Sequence, residues 1–358
     1  MSTAVAEDTS LQSEVSERDR LDTDRLSTWM AAHVPDFAGP LTYAKFAGGQ
    51  SNPTYKLMTP GRNYVLRRKP MGELLPSAHQ VDREHRVMAA LHPTGFPVPR
   101  QYGLCEDNDV IGSAFYVMEM VDGRTIWDGS FPGMDADTRR AHYYAMIDTL
   151  AALHNVDLKA TGLEDFGRPG NYFERQVSRW TKQYRGAETE HMPAMERLIE
   201  WLPKTIPEQT RTAIVHGDYR CDNMKFAPGL EPRVAAVLDW ELCTTGDPLA
   251  DLSYFLISWV TVPEGRSGVM GLTGPETGIP TVEEVVARYC EKTGRDGVPD
   301  LNWLLAFNLF RLASIVQGIR KRFLIGTASS ANAEATSARV PMLAEAAWEF
   351  ARKAGASE

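Results

Sequence analysis

The sequence predicts an α+β fold, with a small β-rich half carrying one helix followed by a larger, mainly helical half. Three observations lead there. Two β-rich runs flank Gly48-Gly49 in LTYAKFAGGQSNPTYKLMTPGRNYVLRRKP (41–70). A single helical pattern, SAHQVDREHRVMAALH (77–92), follows them. Beyond Asp122-Gly123-Arg124 the strand-like runs give way to long helical ones.

In chain order, the first twenty or so residues are polar and read as a mobile tail. Leu21, Leu26, Trp29 and Met30 recur at helical spacing, which makes 21–33 a short amphipathic helix and 1–34 a tail-and-helix segment. The β-rich domain is expected over 35–120. Within it a Pro60-Gly61 turn leads into NYVLRRK, and Val81, His85, Met88 and Leu91 share one face of the 77–92 helix. After FPVPR two more strands are expected, the second being SAFYVMEMV (113–121). The helical domain, 121–358, opens with ADTRRAHYYAMIDTLAALHNVD and FERQVSRWTKQY. A hairpin-like passage then brackets IVHGDYRCDNMKF (214–226) and VAAVLDWELC (234–243). VEEVVARYCEKTG, LNWLLAFNLFRLASIVQGIRKRF and PMLAEAAWEFARKAG complete it as helices.

Composition excludes several classes. Hydrophobic residues at 43% and charged residues at 24% over 358 positions describe a globular chain with room for two cores. The longest apolar-looking run, YFLISWVTV (254–262), is too short to span a bilayer, and no membrane partner is expected. The opening residues lack the apolar segment of a signal peptide, so a cytoplasmic location is expected. Cys105, Cys221, Cys243 and Cys290 form no CxxC pair and read as reduced thiols. A net charge of -9 argues against a nucleic-acid partner. It leaves room for an anionic small ligand bridged to carboxylates by a divalent cation.

The segment 214–226 sets His216, Asp218, Arg220, Asp222, Asn223 and Lys225 between apolar ends that anchor it. Phosphoryl transfer needs a carboxylate beside the incoming hydroxyl and oxygen ligands that hold Mg²⁺ on nucleotide phosphates. Asp218 can orient a hydroxyl and take its proton, Asn223 offers an amide oxygen, and Asp239 offers a charged one from a strand end. Singly, each residue also suits a turn. All three in this order, with apolar anchors on both sides, point to phosphoryl transfer. No second His sits at ligand spacing, so a metallohydrolase is not supported, and His216 and His154 read as structural.

HGDYRCDN followed by LDWE resembles the aminoglycoside phosphotransferase-like family, also called the phosphotransferase enzyme family, of kinase-fold proteins. The resemblance covers roughly residues 35 to 325 and includes GDPLADL (246–252). It implies a protein-kinase-like two-lobed fold, with a β-rich N-lobe over the nucleotide and a helical C-lobe. It further implies Asp218 as catalytic base, Asn223 and Asp239 as magnesium ligands, and ATP or GTP as co-substrate. Asp247 and Asp251 are expected to be structural, bonding the backbone of the catalytic loop.

On the nucleotide side, the resemblance puts Gly48, Gly49, Ser51 and Asn52 in a phosphate-covering loop. Arg67 takes the place of the usual strand lysine, which is a departure because a planar fork is not a point charge. Lys69, on the same face by strand alternation, is the second choice for the phosphates. Glu84 would pair with this cation. The Glu119 carbonyl and the Val121 amide would meet adenine, with Met118 and Met120 nearby.

The acceptor is expected to be a small molecule bearing a hydroxyl. The Gly/Pro-rich stretch 262–281 reads as a mobile loop, and Asn308, Arg311 and Ser314 as a polar stripe on a helix. Arg311 with Arg320, Lys321 and Arg322 could receive an anionic substrate. FRLASIVQGIRKRF resembles the kinase-like domains related to those fused to acyl-CoA dehydrogenases, which implies a hydroxyacyl-CoA or another hydroxylated metabolite. The rivals are an aminoglycoside-modifying kinase, a nucleotide-binding pseudokinase or scaffold, and a domain that binds a non-nucleotide ligand.

Overall fold

The computed structural model describes residues 15–47, 52–72, 79–168, 170–263, 267–327 and 332–357. The chain forms two compact units, Met1–Arg124 with Met224–Cys243, and Thr125–Asn223 with Thr244–Glu358. The architecture is α+β: a small antiparallel sheet in the first unit and a larger helical second unit.

In the first unit, strands β1 (Thr42–Lys45), β2 (Thr54–Met58), β3 (Asn63–Arg68), β4 (Gln101–Cys105) and β5 (Phe115–Glu119) pair antiparallel in the order β1-β2-β3-β5-β4. Alternation along β2 buries Tyr55 and Leu57 and leaves their neighbours partly exposed, the pattern of a sheet with one core face. That core gathers Leu66, Phe115 and Val117 with Leu26 and Met30 of helix α1 (Thr23–His33). Helix α2 (Val81–Leu91) buries Val81, Val87, Met88 and Leu91, and with them Glu84. The four-residue α3 (Asn108–Ile111) completes the helices of this unit before the chain leaves it.

The tail is shorter than its polarity suggested. Residues 17–19 form a 3-10 turn in which the Asp19 carboxylate receives Lys45 Nζ at 2.7 Å and the Asp19 carbonyl receives Tyr55 Oη–H at 2.9 Å. Two specific bonds to the sheet fasten what charge composition alone marks as solvated.

The second unit is built on α4 (Ala136–His154), α5 (Tyr172–Ala187), α6 (Pro193–Trp201), α7 (Leu249–Val260), α8 (Val282–Thr293), α9 (Leu301–Leu324), α10 (Ala333–Ser337) and α11 (Val340–Lys353). Helix α9 is apolar on nearly every side between Trp303 and Val316 and is buried accordingly, packed against α5, α7 and α11. Phe173, Trp303 and Phe307 interlock at its start, with ring centroids 5.2–5.8 Å apart. Thr281 and Glu284 close a capping box at the head of α8. Strand β6 (Ala213–Val215) pairs with β9 (Thr244–Gly246) in this unit, whereas β7 (Met224–Phe226) and β8 (Val234–Val237) make a hairpin in the first.

The Gly/Pro-rich stretch 262–281 is folded where it is described. Val269 N–H bonds the Ser258 carbonyl at 2.7 Å, Trp259 Nε1–H bonds the Pro280 carbonyl at 2.7 Å, and Val269 and Ile279 are buried. Among the described residues no helix is long and apolar enough to cross a membrane.

Candidate active site

The loop after β6 is held from beneath. The Asp251 carboxylate, on α7, accepts the His216 N–H at 2.6 Å and the Gly217 N–H at 2.8 Å. Arg311 donates from Nη2 to the Gly217 carbonyl at 2.5 Å while its guanidinium stacks over Tyr254 and Trp180. Gly217 turns the chain with φ +87, a conformation that suits glycine. Tyr219 anchors the far side, its hydroxyl on the Met146 carbonyl at 2.7 Å. Asp251 has the structural role expected of it; the Asp247 carboxylate accepts Leu249 N–H at the head of α7, with no hydrogen bond to this loop among the described residues.

On this platform Asp218 is fixed by neutral donors. Tyr254 Oη–H bonds Oδ1 at 2.6 Å, and Asn223 Nδ2 bonds Oδ2 at 2.9 Å and the Asp218 carbonyl at 2.8 Å. Arg220 Nε lies 3.6 Å from Oδ1. Burial pushes the Asp218 carboxyl up, but Arg220 first, then Tyr254, His216 and Asn223, bring it below the ordinary carboxylate range. It is therefore ionised at neutral pH. Asn223 spends its amide nitrogen on Asp218, and its Oδ1 has no hydrogen bond among the described residues.

The first unit holds a second cluster. Arg67, opposite Thr54 and Tyr116 in the register of β3, lies with Nε 3.0 Å from Glu84 Oε2 and Nη2 2.8 Å from Asp239 Oδ1 and 3.5 Å from Glu241 Oε2. Glu84 also receives Asn52 Nδ2 at 2.8 Å and Tyr116 Oη–H at 3.0 Å. Burial lifts its carboxyl to about 7, against the pull of Arg67. Asp239 follows β8 with φ +63 and ψ +64, a left-handed backbone unusual outside glycine and frequent at functional positions. Buried Trp240 clamps that turn with its Nε1–H on the Val237 carbonyl at 3.0 Å.

The structure thus brings Arg67, Glu84 and Asp239 together in one unit, and Asp218 with Asn223 in the other. Asn52 is fully buried with both ends of its amide spent, its oxygen receiving His79 Nδ1 at 3.0 Å and its nitrogen bonding Glu84 of α2 at 2.8 Å. Gly48, Gly49 and Ser51 lie outside the described residues. Lys69 comes after β3 and sits 3.8 Å from Asp82. The Glu119 carboxylate receives the Arg100 N–H, and the Val121 N–H has no partner among the described residues. Arg311 is no receptor for an anion: it is buried against the loop. Arg320 pairs with Glu190, and Lys321 bonds the Gly186 carbonyl.

Sequence reasoning did not find Tyr254, Tyr116 or Glu241. Tyr254 and Tyr116 lie far along the chain from the carboxylates they bond and carry no local signal. Glu241 was within reach, two residues after Asp239.

The model of the phosphotransferase enzyme family matches residues 42–286. Mouse acyl-CoA dehydrogenase family member 10 is 48% identical over 320 residues, covering 88% of this chain and 30% of that protein. Human family member 11 is 41% identical over 349 residues, 95% of this chain and 44% of that one. The chain therefore spans less than half the length of these relatives. The crystal structure of a candidate aminoglycoside phosphotransferase from Ralstonia eutropha is 50% identical with a TM-score of 0.86, over 93% of this chain and 99% of that one. A mutant of aminoglycoside phosphotransferase APH(4)-Ia, solved with AMP-PNP and hygromycin B, shares the fold at 15% identity, with a TM-score of 0.57 over 93% of this chain and 99% of that one.

Proposed function

The chain belongs to the phosphotransferase enzyme family, and from that premise we propose that it moves the γ-phosphoryl group of ATP or GTP to a hydroxyl of a small molecule. The observation that carries this is the Asp218–Asn223 pair, in which one amide fixes the base through its nitrogen and leaves its oxygen uncommitted. Asp239 likewise has one oxygen on Arg67 and the other without a partner among the described residues. Two such oxygens, one neutral and one anionic, suit a hard divalent cation. Asn223 and Asp239 are the residues that would hold Mg²⁺, which supplies charge neutralisation on the nucleotide phosphates when bound.

The ionised Asp218 accepts a hydrogen bond from the acceptor hydroxyl and points its oxygen at phosphorus. As the new P–O bond forms and the bond to the β-phosphate breaks, the hydroxyl proton passes to Asp218 and the nucleoside diphosphate leaves. A carboxylate held below its ordinary range is a weak base, which suits a loose transition state in which the proton moves late. Orientation by Tyr254 and Asn223 then contributes more than basicity. Arg67, locked by Glu84, steadies Asp239 and reaches the phosphates with what remains of its fork.

A hydroxyacyl-CoA or another hydroxylated metabolite is the proposed acceptor. The identity of 48% to an acyl-CoA dehydrogenase family member supports that choice, and the 50% identity to a candidate aminoglycoside phosphotransferase keeps an aminoglycoside as the second reading. Thermal-shift titration with ATP, GTP and ADP, each with and without Mg²⁺, is the first test. A magnesium-dependent rise in Tm supports the nucleotide site and sets up a screen of hydroxyacyl-CoAs with aminoglycosides as the control. No shift at millimolar nucleotide would favour a scaffold or another ligand.

A further inference from the structure

We propose that Arg220 is a catalytic residue: the cation that meets the phosphoryl group as it arrives at the acceptor oxygen. The proposal rests on the reading of Asp218 as the acceptor's base. In a loose transition state, charge spreads over the three equatorial oxygens of the group in flight, and catalysis consists largely of placing positive charge against them. That group must sit beside the hydroxyl that Asp218 receives. A cation within reach of Asp218 is therefore within reach of those oxygens.

Arg220 is so placed. Its Nε is 3.6 Å from Asp218 Oδ1, too far for a hydrogen bond. It is therefore not what holds the base; Tyr254 and Asn223, at 2.6 and 2.9 Å, do that. Arg220 is itself fixed from the other side, with Nη2 on Asp222 Oδ2 at 2.5 Å, and the Asp222 side chain is only 1% exposed. One nitrogen of the fork is thus anchored in the core. Nε is buried and makes no hydrogen bond, Nη1 has no partner among the described residues, and a third of the side chain remains exposed. A salt bridge serving stability alone would spend the fork on its partner, whereas here the Nη1 corner is held in place and left open. A planar guanidinium pinned at one corner presents its remaining N–H groups in a set direction, which a lysine on a flexible stem does not.

The test separates ground state from transition state. MgADP binding is measured by calorimetry with and without aluminium fluoride, which mimics the phosphoryl group in flight, on the wild type, Arg220→Gln and Arg220→Lys. The wild type should bind MgADP and tighten when fluoride is added. Arg220→Gln should keep the MgADP affinity and lose about a hundredfold of the fluoride-dependent gain, with Arg220→Lys between the two. Fluoride-dependent tightening that survives in Arg220→Gln would overturn the proposal. So would an equal loss with and without fluoride, which marks a structural residue, or a wild type that binds MgADP and does not tighten. A wild type that binds no MgADP at all would overturn the phosphotransferase reading itself, and this proposal with it.

Discussion

Asp218 in the second unit and Glu84 in the first each sit at the centre of a polar cluster, but they are held by different chemistry. Asp218 is gripped by a phenol and an amide, both neutral, with its nearest cation at 3.6 Å. Glu84 is buried against a guanidinium at 3.0 Å, and its further bonds, to Asn52 and Tyr116, leave it with no task beyond that ion pair. Neutral donors fix where a charge sits without cancelling it, so the charge stays available to a substrate. An ion pair spends one charge to fix the other. The contrast separates a carboxylate whose charge stays available, as the proposed role of Asp218 requires, from one whose charge is spent on its partner.

The sharpest way to break this comparison is to neutralise the working member. Asp218→Asn should lower transfer by about 10³-fold while leaving nucleotide affinity nearly unchanged, measured by turnover and by titration with MgATP. Surviving transfer would remove Asp218 as the base. Next comes the platform: Asp251→Ala strands two buried N–H groups and should cost about 3 kcal/mol, read from denaturant unfolding. An unchanged midpoint would mean that the loop is held elsewhere.

Asp239→Ala probes the other cluster and should weaken Mg-nucleotide binding roughly tenfold or more. The magnesium-dependent part of the thermal shift should disappear, and unchanged binding would take Asp239 out of the metal site. The gentlest test is pH. Glu84 faces Arg67, Tyr116 and Asn52, with Asp239 and Glu241 adding negative charge, and burial raises its carboxyl from the ordinary 4.5 to about 7. The folded chain therefore keeps a proton that the unfolded chain gives up between those values. Its contribution to stability is greatest below 4.5 and is lost as pH rises towards 7. The pair with Arg67 is complete only above that range. Nucleotide affinity should thus strengthen severalfold as pH rises through about 7, and Glu84→Gln should flatten the profile. A wild-type profile already flat would show that Glu84 stays ionised throughout.

The Asp218–Asn223 pair could be read in the sequence because its spacing is local, whereas Arg67 and Glu84 were legible only through the family resemblance. Asp218 and Asn223 share one loop, and Arg67 and Glu84 lie on a strand and a helix whose apolar patterns are plain. What escaped depends on the fold bringing distant residues together. Tyr254 reaches Asp218 across 36 positions, and Arg311 reaches Gly217 across 94. Arg311 looked like a surface cation because an arginine in an apolar helix has no visible partner in the sequence. Its partners are a carbonyl and two aromatic faces supplied by other elements. The resemblance puts Asn52 in the phosphate-covering loop, and only the fold shows that both ends of its amide bond within the protein.

The way the 216–217 backbone is fastened has a consequence for changing what the protein accepts. One carboxylate from α7 and one guanidinium from α9 hold the 216–217 backbone, and neither reaches past it towards solvent. Under the proposed function, a search for new acceptors leaves Asp251 and Arg311 untouched. Variants at those two positions are expected to disturb the backbone that carries Asp218 before any acceptor contact changes, so a library should randomise others.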